Sequence, residues 1–236
     1  MAATGEQILS LARTHVGEKY ILGSVAPKNN KNWKGPWDCA EFASWLVFQT
    51  ANKLYGCTDD NASPSRADAF TGSWARDAMK FGKKISIDEA RRTPGAAVLR
   101  HSGDMGHIVI SDGKGGTVEA QSRFTGVVRD KLDGRRWDTG VLVPGVQYTR
   151  SGPQGHVEPP RVAIFRLTTP MMKGATVKAI QTALRKHGLD PGPVDGEFGA
   201  MTAAAVKAFQ LMRRLVADGE VGPKTARSLG IKLPSM

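Results

Sequence analysis

From Cys39 to Gln49 polar positions almost vanish: Ala40, Phe42, Ala43, Trp45, Leu46, Val47 and Phe48 follow one another with only Glu41 and Ser44 between them. The run comes after a Gly35-Pro36 breaker and is preceded by Asp38, a residue type that caps helices, so it predicts a buried helix with Cys39 in its first turn. Upstream, Ile8, Leu9, Ala12 and Val16 recur at helical spacing behind a Thr4/Gln7 capping pair and predict a first helix over 4–15. Between the two, residues 24–35 are rich in Lys, Asn, Pro and Gly and read as a surface loop. Phe70, Trp74, Ala78 and Phe81 predict a further helix over 67–81, and Ser86-Ile87-Asp88-Glu89 opens a single helical turn.

Beyond residue 95 the pattern changes to short β-rich runs: Ala96 to Leu99, His107 to Ser111, Thr117 to Ala120, and Val127 with Val128, separated by glycine turns. Helices first and an antiparallel sheet afterwards indicate an α+β domain. In His107-Ile108-Val109-Ile110-Ser111, a period of two sends His107, Val109 and Ser111 to one face and both isoleucines to the other. The hairpin after Ser111 returns Thr117, Glu119 and Gln121 on a common face, so His107 meets a Glu or a Gln across the ladder.

Residues 151–170 have the Pro/Gly composition of a linker, although Val162-Ala163-Ile164-Phe165 reads as a strand that closes the first sheet or covers its edge. The C-terminal segment carries an internal repeat. Asp195-Gly196-Glu197-Phe198-Gly199-Ala200-Met201-Thr202 returns as Asp218-Gly219-Glu220-Val221-Gly222-Pro223-Lys224-Thr225, each a glycine turn leading into a Thr-started helix. Two helix-start turns account for the glycines without invoking a ligand. The expected organisation is 1–150, a linker over 151–170, and a second domain over 171–236.

With 236 residues and 40% apolar content the chain can build a full core, which excludes a disordered class. Its net charge of +11 points to a polyanionic partner, and both halves are basic. Nucleic acid is disfavoured because no interleaved aromatic and basic motif is present. The two cysteines, Cys39 and Cys57, lie in no zinc-ligand spacing, so neither metal nor other cofactor is expected. No run approaches the roughly 18 to 20 apolar residues of a membrane span. The N-terminus lacks the charged start and apolar core of a signal peptide, so the expectation is synthesis in the cytoplasm and action elsewhere by another exit route.

The candidate chemistry follows from placement. A thiol at a helix N-terminus is predisposed to ionise, because unpaired amides and the helix dipole favour an anion. A small buried thiol packed beside Phe42 and Trp45 is the alternative use of such a residue. A cysteine there, a histidine on a facing strand and a polar residue on the next strand form the constellation of a cysteine hydrolase. Cys39 is the nucleophile in that scheme, His107 the base, and Glu119 or Gln121 the group that fixes the imidazole, with Asp38 and Tyr20 lining the site. Tyr20 also suits a packing role. His101 reads as an exposed decoy, and His15 and His156 as ordinary surface residues.

These residues resemble the NlpC/P60 family of peptidoglycan peptidases, which has a papain-like α+β fold. The matching features are Tyr20-Ile21-Leu22-Gly23, Trp37-Asp38-Cys39-Ala40-Glu41-Phe42, Pro94-Gly95-Ala96-Ala97-Val98, Gly106-His107-Ile108-Val109-Ile110 and Val118-Glu119-Ala120. The related CHAP amidases share the Cys and His logic. Two departures stand out: Ala40-Glu41 replaces the usual Ser-Gly, and Glu119 occupies the third position, commonly His. The C-terminal repeat looks like the three-helix peptidoglycan-binding domain attached to many wall hydrolases.

The resemblance implies a two-domain, monomeric peptidoglycan hydrolase that cleaves a stem-peptide amide, endopeptidase rather than N-acetylmuramoyl-L-alanine amidase. Its expected setting is a phage-type endolysin released through a holin-type lesion, or an effector delivered by a secretion apparatus, without stable membrane insertion. A non-catalytic wall-binding protein with a degenerate papain-like scaffold is the alternative.

Overall fold

The computed structural model describes residues 2–81, 83–102, 105–150 and 162–235. The chain divides into two compact units, one built from residues up to 132 together with 137–150, the other from 133–136 and the C-terminal segment. The first eleven residues of the expected linker, 151–161, and with them His156, lie outside the described residues.

The N-terminal unit is α+β. Helix α1 spans Gly5–Thr14 behind Thr4, with the capping box to Gln7 formed in both directions. Helix α2, Cys39–Ala51, follows Asp38 as N-cap and has no polar face to show: residues Cys39 through Val47 are all buried. Helix α3 covers Thr71–Lys80 and α4 is the short turn Ile87–Arg91 capped by Ser86. Strands β1 (Lys84–Ile85), β2 (Ala97–Arg100), β3 (His107–Ser111), β4 (Gly116–Ser122), β5 (Gly126–Lys131) and β6 (Thr139–Val141) form one antiparallel sheet in the order β1-β6-β2-β3-β4-β5.

The period-two pattern separates the two cores. Ala97, Leu99, Ile108, Ile110, Val118 and Ala120 cluster with Ile8, Leu9 and Ala12 of α1 and with Phe42, Trp45 and Leu46 of α2. Their alternates Val98 and Val109 pack with Ala90 of α4, Leu132 and Trp137. Helix α2 is apolar all round because it is enclosed all round.

Several expectations are corrected. Helix α3 starts at Thr71 rather than 67, because Ala69 pairs with Cys57 as an isolated bridge and the Phe70 amide bonds Gly56 O at 3.0 Å, which holds the chain extended. Val162 to Phe165 does not join the first sheet: Val162 bridges Ser235 and Phe165 bridges Val221, both in the C-terminal unit. His15 is not a surface residue. It is buried, its Nδ1 lies 2.9 Å from Glu18 Oε2, and its ring stands edge-on to Trp37 and Trp45. The 24–35 segment is not wholly a surface loop either, since Ala26 and Lys28 are fully buried in it.

The C-terminal unit is all-helical, with α5 (Ala175–Lys186), α6 (Ala200–Met212) and α7 (Pro223–Leu229) around Phe198, Val206 and Phe209. The repeat is a structural device. Gln181 accepts from the Gly196 amide at 2.9 Å and donates to Asp195 at 3.0 Å and Thr202 at 3.3 Å; Gln210 does the same to Gly219, Asp218 and Thr225 at 2.8, 2.8 and 3.1 Å. Each turn is thus latched to a buried glutamine on the preceding helix. Thr202 and Thr225 sit inside the first turn, and the caps are Gly199 and Gly222, so the helices do not begin at threonine.

Candidate active site

Cys39 is the first residue of α2. The Asp38 carboxylate accepts from the Glu41 amide at 2.8 Å, as an N-cap should, and from the Gly23 amide at 3.2 Å. Only 8% of Cys39 is exposed. The helix it opens packs against β3, the strand that begins with His107.

The thiol is pushed up to about 12, by burial first and by the Asp38 charge second, against the donors Ile108, Thr71 and Ala40. This corrects the expectation of a thiolate favoured by the helix terminus. A helix dipole contributes about 0.3–1 kcal/mol, less than one pKa unit, whereas burying an anion shifts a pKa by up to several units. The carboxylate that caps the helix works against ionisation of its neighbour.

His107, on β3, is 4% exposed, and its Nε2 lies 2.7 Å from Glu119 Oε2 on β4. The other oxygen of Glu119 accepts from the Thr117 hydroxyl at 2.6 Å, and the Trp137 ring lies nearly parallel to the imidazole at 6.2 Å between centroids. A carboxylate on Nε2 fixes that nitrogen as the N–H donor, so Nδ1 carries the lone pair.

The sheet register explains why strand alternation alone left both Glu119, the expected third residue, and Gln121, its reserve, open. Ile110 faces Val118 and Ser111 faces Thr117; counting on, His107 falls opposite Gln121, with Glu119 on the diagonal. The long carboxylate reaches across that diagonal, while Gln121 donates to Asp130 at 2.6 Å and accepts from Thr125 at 3.2 Å. Tyr20 is clipped beside Trp37 by a parallel bridge, and its phenol is raised by burial and by the nearby Cys39 and Asp38. It lines the site. His101 is exposed and bonds through its backbone amide to Asp138.

Three residues escaped sequence reasoning. Thr71 lay inside a helix expected to begin earlier. Glu41 is fully buried beside the nucleophile: it pairs with Lys28, accepts from the Ala26 amide at 2.7 Å and accepts from the Ala69 amide at 2.5 Å. Lys28 also donates to Ala26 O at 3.0 Å and Ala67 O at 2.7 Å. The signal was present: a carboxylate within an apolar run that is buried on every side requires a buried cationic partner. Glu41 is pushed upward by burial and held down by Lys28. Among the described residues no cluster of three or more His, Cys, Asp or Glu could hold a metal.

In the C-terminal unit an open groove of about 500 Å³ is lined by Ala175, Lys178, Ala179, Ala183, Lys186 and His187.

Residues 173–229, which enclose α5, α6 and α7, match the family model described as "Putative peptidoglycan binding domain". Among curated proteins, the chain is 47% identical over 68 residues to a "Probable N-acetylmuramoyl-L-alanine amidase" of Bacillus licheniformis, covering 26% of this chain and 19% of the relative. It is 32% identical over 120 residues to N-acetylmuramoyl-L-alanine amidase CwlL of the same organism, covering 48% of this chain and 33% of that protein. The chain thus spans a third or less of the length of both relatives. Among solved structures, the NlpC/p60 domain of peptidoglycan hydrolase SagA aligns at a TM-score of 0.43 with 20% identity, covering 59% of this chain and 99% of that domain.

Proposed function

We propose that the chain is a peptidoglycan hydrolase in which residues 1–150 cleave an amide of the stem peptide and residues 171–236 hold the enzyme on the wall. The observation that carries this reading is the pairing of His107 with buried Glu119 on the sheet against which the helix opened by Cys39 packs. The match of 173–229 to a peptidoglycan-binding model supports the substrate class.

In this mechanism His107 Nδ1 takes the thiol proton as the sulfur attacks the amide carbon. Amides at the start of α2 stabilise the oxyanion, His107 returns the proton to the leaving amine, and a water activated by the same nitrogen releases the thioester. Glu119 keeps the tautomer and stabilises the imidazolium. Tethering raises the effective substrate concentration without adding catalytic contacts. A monomer acting as a phage-type endolysin or a delivered cell-wall-degrading effector suits such an activity.

Cleavage within the stem is the first reading. The names of the two Bacillus licheniformis relatives favour the N-acetylmuramoyl-L-alanine bond as the second. Mass spectrometry of purified peptidoglycan digested by wild type and Cys39→Ser decides both questions: Cys39-dependent fragments are expected, and their masses identify the bond. Absence of fragments with sacculus binding intact points to a wall-binding scaffold instead.

A further inference from the structure

A third side chain joins the His107–Glu119 pair. Trp137 lies in the segment between β5 and β6, outside every strand, yet its ring centroid is 6.2 Å from that of the imidazole and the two planes are 27° apart. Separations of about 4.5–7 Å with near-parallel planes belong to offset aromatic pairs.

The indole is fixed by contacts that do not involve His107. Its Nε1 donates to Leu132 O at 2.9 Å, and the ring packs with the core of Val98, Val109 and Leu132, on the face of β3 that His107 shares with Val109. The next residue, Asp138, is pinned on both sides. Its amide donates to Leu99 O at 2.8 Å, and its carboxylate accepts from the His101 and Ser102 amides at 2.7 and 2.8 Å and from the Ser102 hydroxyl at 2.9 Å. An aromatic wall held this firmly constrains the imidazole it stands against.

The charges around His107 come from three elements. Glu119 reaches it from β4, Arg100 is its buried register partner on β2, and α2, packed on β3, begins with Cys39 behind Asp38. Trp137 differs in kind from all of these: the electron-rich face of an indole attracts a cation without bringing a charge that burial would penalise.

We propose that Trp137 is a positioning residue for His107, an inference that rests on His107 being the base: its ring holds the imidazole plane in line with Glu119 and favours the imidazolium formed during turnover. That imidazolium exists between uptake of the thiol proton at Nδ1 and its delivery to the leaving amine. Trp137 itself forms no bond and exchanges no proton.

The test uses the full chain with histidine labelled at Cε1, the His107 resonance being assigned by its loss in His107→Gln. Trp137→Leu keeps an apolar side chain and removes the aromatic face. It is expected to move the His107 titration midpoint down by about half to one pH unit, with the acid limb of kcat/KM on soluble muropeptides following it, and to lower kcat roughly three- to tenfold at little-changed KM. Trp137→Phe keeps a ring and is expected to retain most of both. Trp137→Met, which also fills space without a ring, serves if the leucine variant fails to fold. A wild-type midpoint in the leucine or methionine variant, or a phenylalanine variant shifted as far as leucine, overturns the proposal. Failure of the base reading itself is seen separately, as hydrolysis that survives His107→Gln while the titration still responds to Trp137.

Discussion

His107 Nε2 and Glu119 Oε2 stand 2.7 Å apart between side chains that are almost wholly withdrawn from water. A buried carboxylate in that position fixes the imidazole tautomer and stabilises its protonated form, and removing it leaves an imidazole with the wrong nitrogen protonated. Glu119→Ala is expected to lower kcat on muropeptides about 10²–10³-fold, within the usual range for acid–base groups. Gln121→Ala, whose amide serves Asp130, is expected to change it less than about threefold. The opposite ranking reassigns the orienting residue.

The thiol of Cys39 lies well above its ordinary range, so through neutral pH it is overwhelmingly protonated and its ionised fraction rises about tenfold per pH unit toward 12. Burial is the larger cause and Asp38 the second. Asp38→Asn removes that charge and keeps a side chain that caps helices about as well. Cys39 in this variant is expected to alkylate about two- to tenfold faster at pH 8 than in wild type. Equal or slower alkylation shows that the Asp38 charge does not reach the sulfur.

Lys28 and Glu41 form an ion pair with both side chains fully buried. Deleting one member strands the other charge, so Lys28→Met is expected to destabilise the N-terminal unit by about 3–5 kcal/mol, with part recovered on adding Glu41→Gln. The readout isolates that unit, because all five tryptophans, at 33, 37, 45, 74 and 137, belong to it. Denaturant unfolding followed by tryptophan fluorescence gives the number; a double variant no more stable than Lys28→Met alone removes the charge argument.

What the sequence made legible was whatever periodicity or a cap encodes: α1 with its Thr4/Gln7 box, α2 behind Asp38, and the in–out alternation of β3. What it hid depends on partners far along the chain. Glu41 meets Lys28 thirteen residues upstream from a segment whose composition signals solvent. Thr71 is held by Ala69 and Gly56, which override the helical propensity of 67–70. Strands β1 and β6 are two and three residues long, too short for alternation to register. The choice between Glu119 and Gln121 turned on a diagonal reach that no pattern of apolar positions specifies.

In the C-terminal unit Gln210 bonds the Gly219 amide, Asp218, Glu220 O and Thr225 from a buried position. Gln210→Ala removes one hydrogen bond from each of those groups and is expected to cost the unit about 2–4 kcal/mol. Far-UV circular dichroism should show the loss while the tryptophan transition stays unchanged. Simultaneous loss of both signals contradicts independent units.

Lys178 and Lys186, both on α5, line the groove together with Ala175, Ala179 and Ala183 and bring two positive charges to it. A stem peptide carries carboxylates, so attraction of this kind weakens as salt screens it over a Debye length of about 8 Å at physiological ionic strength. The double variant Lys178→Ala/Lys186→Ala is expected to be retained on intact sacculi several-fold less than wild type at low salt, with the difference shrinking at high salt. Cleavage of soluble muropeptides should be unaffected, since no tether is needed there. Equal retention of the two proteins at low salt moves wall recognition to another face of this unit.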